Sequence, residues 1–327
     1  MSRGFGIFWM LYMLFFAVPF PMILYYNIKD AEPPFLNDTN PWLAVGLLGL
    51  SVLLWSIVLL SWFYKWIVVN FIAKRNVIHL AKHGVRRKAE ILEAVKISKP
   101  GSQYDTYELV LAFKNLVNTD IKQKAVVNDS KPHQHRFEKG KTVDILIDKE
   151  VKKMPYFIFA GSEASINILT IFLITVGWLT IVTLVAWYYI YSYQTESNGM
   201  GWRFIIYWHP LLLCPAILLF YKLIFFYFIN RIFNGKKGEP ELIKFKGIRT
   251  TARLISADLT GTYINEQPMV LFKVEYADEQ NQTRRAEIKK IVNLLDMNNV
   301  KQPTFDIFYL KEDPNRIAFA EDLDNIS

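Results

Sequence analysis

The sequence predicts an α+β membrane protein: four transmembrane helices in two hairpins, plus two small β-barrel-like domains of the OB or SH3 kind in tandem repeat. Three observations carry this. Four long stretches lack any charged residue, bases gather on one side of them, and the chain matches itself at a nearly constant offset.

The charge-free stretches are residues 4–28, 39–64, 164–195 and 204–221, in a chain of 327 residues that is 52% hydrophobic. A span needs roughly 20 apolar residues at about 1.5 Å rise each. The fourth stretch is shorter but continues past Lys222 through seven apolar residues, 223–229. A lysine near a helix end can extend its stem and hold its ammonium at the interface. The first stretch exceeds the 7–15 residues of a signal-peptide core, and no small-x-small cleavage site follows it, so it reads as a span. Trp9, Tyr25, Tyr26 and Trp42 suit interfacial aromatic belts. Pro19 and Pro21 should bend the first helix near its outer end.

Orientation follows from the loops. The first inter-helix loop holds one base, Lys29, against Asp30, Glu32 and Asp38; the second holds Glu196 and Arg203. The segment after the second span holds Lys74, Arg75, Lys82, Arg86, Arg87 and Lys88 with no acid. Arg231, Lys236, Lys237, Lys244, Lys246, Arg249 and Arg253 follow the fourth, against Glu239 and Glu241. Lys and Arg flanking spans stay cytoplasmic. Both termini and both soluble segments are therefore expected in the cytoplasm. Asn37-Asp38-Thr39 is a glycosylation pattern in the outer loop.

The repeat is collinear. Phe63-Tyr64-Lys65-Trp66-Ile67 recurs as Phe220-Tyr221-Lys222-Leu223-Ile224, an offset of 157. Gly84-Val85-Arg86-Arg87-Lys88-Ala89 answers Gly247-Ile248-Arg249-Thr250-Thr251-Ala252 at 163, and Leu109, Leu111 and Phe113 meet Phe272, Val274 and Tyr276 at the same offset. Val143-Asp144-Ile145 answers Phe305-Asp306-Ile307 at 162. The implied units are a hairpin at 1–75 with a β domain at 84–161, then a hairpin at 164–232 with a β domain at 247–322. Two hairpins of like orientation are expected about a pseudo-twofold axis along the membrane normal.

Within the soluble segments, strands are predicted at 89–95, 107–113, 142–147 and 156–159, and again at 252–255, 270–276, 283–288, 305–309 and 317–319. Tyr107, Leu109, Leu111 and Phe113 alternate with polar or smaller neighbours at the strand period of two. Residues 291–295 read as a short helix. About five short strands in 75–80 residues point to a small closed or partly open barrel, closure being the economical form because it removes reactive edges.

The pattern of hairpin, basic turn, Gly-x-x-x-x-Ala-x-Ile/Leu, apolar strand and alternating strand before Asp-Pro resembles an uncharacterised bacterial family of membrane-tethered small β-barrel domains. Asp313-Pro314 closes the second copy; the first has Lys149-Glu150-Val151 instead. The resemblance implies an accessory or interaction role and transfers no catalytic residue.

Chemistry is sparse. The lone cysteine, Cys214, excludes an intrachain disulfide or a cysteine metal site. His79 and His83 share a helix face, but six bases surround them. His133 and His135 lie in a polar loop, and His209 sits beside Pro210 at a helix start. No phosphate loop, Rossmann fingerprint or nucleophile elbow occurs, so no enzyme, cofactor or metal is expected. Lys65 and Lys222 occupy equivalent places within spans, as possible anionic-lipid or pathway residues. The juxtamembrane bases Lys74, Arg75, Arg86, Arg87, Lys88, Lys236 and Lys237 are expected at anionic headgroups and not at nucleic acid. The leading expectation is a non-enzymatic scaffold presenting its β domains to a protein partner, one form of which is an immunity protein against a membrane-targeting toxin. The alternative is a small channel or transporter component using the Lys65/Lys222 pair.

Overall fold

The computed structural model describes residues 3–28, 40–99, 104–129, 131–232, 239–264, 266–293, 302–324 and 326, with the backbone alone for Arg3 and 225–232. The Asn37-Asp38-Thr39 pattern, Lys236 and Lys237 lie outside the described residues. The chain divides into two compact units: Met1–Lys74 with Ser165–Asn234, and Arg75–Ala164 with Gly235–Ser327.

The first unit is helical. Gly4–Ile28, Pro41–His83 and Ile168–Glu196 are long and apolar enough to cross a membrane, and Pro210–Ile224 is a shorter apolar helix. The first stretch is interrupted at Val18, giving α1 (Arg3–Ala17) and α2 (Pro19–Ile28). Pro19 and Pro21 supply no N–H for the carbonyls four residues earlier, which is why the helix breaks there. The second comprises α3 (Pro41–Phe63), one π turn (Tyr64–Val68) and α4 (Val69–His83). The Asn40 side chain caps its start, accepting from the Trp42 N–H at 2.9 Å. A second helical pair follows: α5 (Ile168–Glu196) and α6 (Pro210–Ile232).

Pro215 lies inside α6. It cannot donate to the Leu211 carbonyl, and that carbonyl is instead taken by Ser51 Oγ (2.7 Å) and Trp55 Nε1 (3.0 Å) from α3. Ser51 also meets Tyr189 of α5 at 2.6 Å. A freed carbonyl in an apolar bundle must find a donor, and this need fixes α3 against α6.

The second unit holds α7 (Glu239–Lys246), α8 (Ala320–Asp324) and two curled antiparallel sheets. The first runs β3-β2-β1-β4-β5, with β1 Val85–Lys96, β2 Asp105–Lys114, β3 Asp120–Asp129, β4 Thr142–Ile147 and β5 Phe157–Phe159. The second has β6 Gly247–Ile264, β7 Gln267–Ala277, β8 Thr283–Ile291, β9 Thr304–Leu310 and β10 Ile317–Phe319. Its order is β8-β7-β6-β9-β10, the same path through the corresponding strands. Registers correspond as well. Glu90 faces Ala112 and Arg253 faces Glu275; Ala89 faces Val143 and Ala252 faces Phe305. Each first strand bulges at the corresponding place, between Ile91 and Glu93 and between Leu254 and Ser256.

The recurring Gly and Ala now have reasons. Gly84 and Gly247 turn a helix directly into a strand, and a Cβ there would meet the Leu80 carbonyl oxygen at 2.6 Å or that of Ile243 at 2.2 Å. Ala89 and Ala252 are fully buried under the sheets.

Several expectations need correction. Residue 291 ends strand β8, and of the helix expected at 291–295 only 291–293, which are not helical, are described. The turn-rich run up to Pro240 gives way to α7 at Glu239, and β3 is a strand the pattern does not predict. Both sheets are open among the described residues, with no pairing between their outermost strands.

The second copy completes the first sheet's core, while the second sheet also packs a cluster of its own. Ile243 and Phe245 of α7, with Ala320 and Leu323 of α8, join Ile91, Leu109, Leu111, Phe113, Ile145 and Ile147 of the first sheet. The Phe245 ring lies 6.1 Å from Phe157 and 6.4 Å from Phe113 and Tyr156. Asn115, fully buried, donates to the carbonyls of Lys244 (3.0 Å) and Gly247 (2.8 Å). Lys244 in turn donates to the carbonyls of Leu323 (2.7 Å) and Ile326 (3.2 Å). The second copy thus fills the first copy's core.

Candidate functional site

Two constellations in the helical unit stand out. The first was legible in the sequence. Lys65 lies in the π turn and Lys222 in α6, and both line one groove of about 510 Å³. Its other walls are Val58, Ser61, Trp62, Tyr64, Val69, Leu218 and Leu219, so it contains two ammonium groups and no carboxylate. Both lysines are exposed at the surface of the bundle. A π turn inserts one extra residue and often marks functional positions in helices. Here it coincides with the lysine.

The second constellation is built from residues that read separately as loop and boundary positions. Glu196 is the last residue of α5, only 4% exposed. Its carboxylate accepts from Tyr25 Oη at 2.7 Å and Tyr26 Oη at 3.2 Å, both from α2. His209, just before α6, is fully buried, and its Nδ1 accepts from the Leu211 N–H at 3.1 Å. The proton therefore resides on Nε2, which faces Glu196 Oε1 at 3.4 Å. Tyr188 Oη lies 3.2 Å from Tyr26 Oη. Three donors converge on one carboxylate, tying α2, α5 and the start of α6. Glu196 lies one residue beyond the charge-free stretch 164–195, at the end of α5. Its partners lie 171, 170 and 13 residues away, so no local signal could pair them.

The basic residues distribute unevenly. Lys74 and Arg75 lie on α4, half-buried and exposed respectively. Arg86, Arg87 and Lys88 are on strand β1. Arg86 pairs with Asp144 at 3.1 Å, and Arg87 donates to the Asn115 carbonyl (3.3 Å) and to Asn118 Oδ1 (3.2 Å). His79 and His83 stack at 4.6 Å, and His135 pairs with Glu138 at 2.9 Å. No three His, Cys, Asp or Glu side chains cluster for a metal among the described residues.

The soluble unit carries a cleft of about 780 Å³ beside β9 and β10, with Arg249, Lys290, Asp306 and Phe319 in its walls. Arg249 holds the Asp306 carboxyl below the usual carboxylate range, by a hydrogen bond of 2.5 Å. No family model, curated protein or solved structure matches this chain.

Proposed function

We propose that this protein is a four-span anchor of a bacterial inner membrane, with both termini in the cytoplasm, and that it presents its two barrel-like domains to a protein partner without catalysing a reaction. The observation that carries this reading is the shared core. Phe245, Asn115 and Lys244 fuse the two sheets into one body, so their exposed edges and loops form one composite surface. Protein partners recognise such surfaces through strand edges and pockets. An immunity protein against a membrane-targeting toxin is one form of this role.

Crosslinking in native membranes, followed by mass spectrometry, tests it. A defined protein crosslinked reproducibly to residues 86–160 or 249–320 supports the platform. A homo-oligomer crosslinked only through the helices overturns it.

A second reading has its own support. The helix break at Val18, the proline inside α6, the π turn at Lys65 and the buried Glu196 support a bundle with the irregular, partly polar interior of transporters. A channel or transporter component would use the Lys65/Lys222 groove as its pathway. Ion flux in liposomes that is lost in Lys65→Ala/Lys222→Ala, with the crosslinks intact, would favour this reading. Flux indifferent to both substitutions removes it.

A further inference from the structure

We propose that the Lys65–Lys222 groove holds one anionic phospholipid. Its phosphate sits between the two ammonium groups, and its first acyl carbons lie on Trp62, Val58, Leu218 and Leu219. The inference rests on the membrane embedding proposed above and not on the protein partner.

Charge supplies the first argument. Two cations share one groove whose lining has no acid. Once embedded, each ammonium is taken out of water, which is costly unless it is paired, and sharing one groove with a like charge adds to the cost. An anion between them offsets both terms.

Depth supplies the second. Lys65 precedes Lys74 by nine residues, and Lys222 precedes Arg231 by the same nine. That is about 14 Å of helix between each lysine and its first juxtamembrane base. The groove therefore lies on the cytoplasmic side of the span, within reach of that leaflet's headgroups once the lysine stems extend.

The walls supply the third. A free inorganic anion gains nothing from an indole and three aliphatic side chains. An amphiphile buries its upper chain there while its phosphate meets the ammonium groups. Basic pockets between spans on the cytoplasmic side are recognised by anionic headgroups for this reason.

The test uses the full chain purified in mild detergent and native mass spectrometry after adding phosphatidylglycerol or phosphatidylcholine. One phosphatidylglycerol should be retained per chain about thirtyfold more strongly than phosphatidylcholine, from two lysines at roughly one charge-contact each. Lys65→Gln/Lys222→Gln should lose that preference, Lys65→Arg/Lys222→Arg should keep it, and Lys74→Gln/Arg75→Gln should leave most of it. Equal retention of both lipids by the natural protein overturns the proposal. So does an undiminished preference in the glutamine pair, or displacement of the lipid by millimolar inorganic phosphate, which marks a site for a soluble anion. Should the glutamine pair aggregate, the phosphate competition and the arginine pair decide the matter. No partner protein enters the measurement, so its failure and the failure of the platform are separate results.

Discussion

Asn115 and Asp278 occupy corresponding turns, and exchanging each for the other's side chain should have very unequal effects. Both side chains organise the same loop. Asn115 Oδ1 accepts from the N–H groups of Val117 (3.0 Å) and Thr119 (2.9 Å), and Asp278 Oδ1 from those of Gln280 and Gln282, both 2.9 Å. They differ at the second atom. Asn115 Nδ2 donates to two carbonyls at the junction of α7 and β6, whereas Asp278 Oδ2 accepts from Arg284 Nε at 2.9 Å. That hydrogen bond holds the Asp278 carboxyl below the usual range. Asn115→Asp keeps the turn but deprives two buried carbonyls of their donors and sets a carboxylate against them in a site with no exposure. Each lost partner costs about 1–3 kcal/mol, and the buried charge adds to this, so a loss of about 3–5 kcal/mol is expected. Asp278→Asn loses one ion pair whose arginine side chain is 41% exposed, and its effect should be at most about a quarter as large. Pulse proteolysis of the full chain in detergent across a urea series reads both midpoints. The new carboxyl also gives a pH signature. Its folded pKa is raised by burial, so the folded state holds the proton longer than the unfolded one, and the loss is complete only above that folded value. Equal midpoints for the two variants would refute the assignment of Asn115 as the clasp between copies.

Other outcomes follow from the same packing. Phe245→Ala should cost about 3–5 kcal/mol in the same assay, because the ring is buried against Phe113, Tyr156 and Phe157; a loss under about 1 kcal/mol would mean that α7 does not plug the first sheet. Burial lowers the Lys244 ammonium to about 8, so the folded state sheds its proton before the unfolded chain does. Stability relative to Lys244→Met should therefore rise between about pH 8 and 10.5, by at most about 3 kcal/mol, and stay level below that window. A flat difference across that range contradicts this. Tyr25→Phe removes the shortest bond to Glu196 and should lower bundle stability by about 0.6–1.7 kcal/mol, the range for polar contacts between spans; thermal unfolding in detergent measures it, and no change would mean that water replaces the phenol.

Much of the strand pattern was readable because apolar alternation survives in both copies, as at Leu109, Leu111 and Phe113 against Phe272, Val274 and Tyr276. Strand β3 escaped notice because it lies at a sheet edge and its inward face carries Gln123 and Asp129 beside Ile121, Ala125 and Val127, which weakens the apolar alternation. Its counterpart β8 was predicted over 283–288. Helix α7 is eight residues with a proline and four charges after a turn-rich stretch, so local propensity says linker. Only the core of the other copy makes it a helix. The lysine pair was legible because duplication marks equivalent residues whatever their distance. Glu196 and His209 belong to no repeat, and their pairing exists only in three dimensions.

The duplication is therefore symmetric in backbone and asymmetric in chemistry, and the asymmetry sets how far the array can extend. The residue corresponding to Phe245 in the first copy is Lys82, exposed on α4. With a cation where the ring should be, α4 cannot plug another sheet as α7 does. In the second copy the equivalent residues bond within their own domain. Tyr276 replaces Phe113 and spends its hydroxyl on the Pro314 carbonyl at 2.5 Å, its ring 5.0 Å from Tyr309, whose hydroxyl accepts from the Glu279 N–H at 3.0 Å. Asp278, in the place of Asn115, has no N–H to offer the carbonyls of an incoming helix. Terminal members of repeat arrays must differ from internal ones because their outer faces have no neighbour. Here each copy carries one such alteration on the side away from the other. Two copies thus saturate the interface, and the first sheet's core is committed to an internal partner, which leaves outer edges and loops as the surface open to another protein.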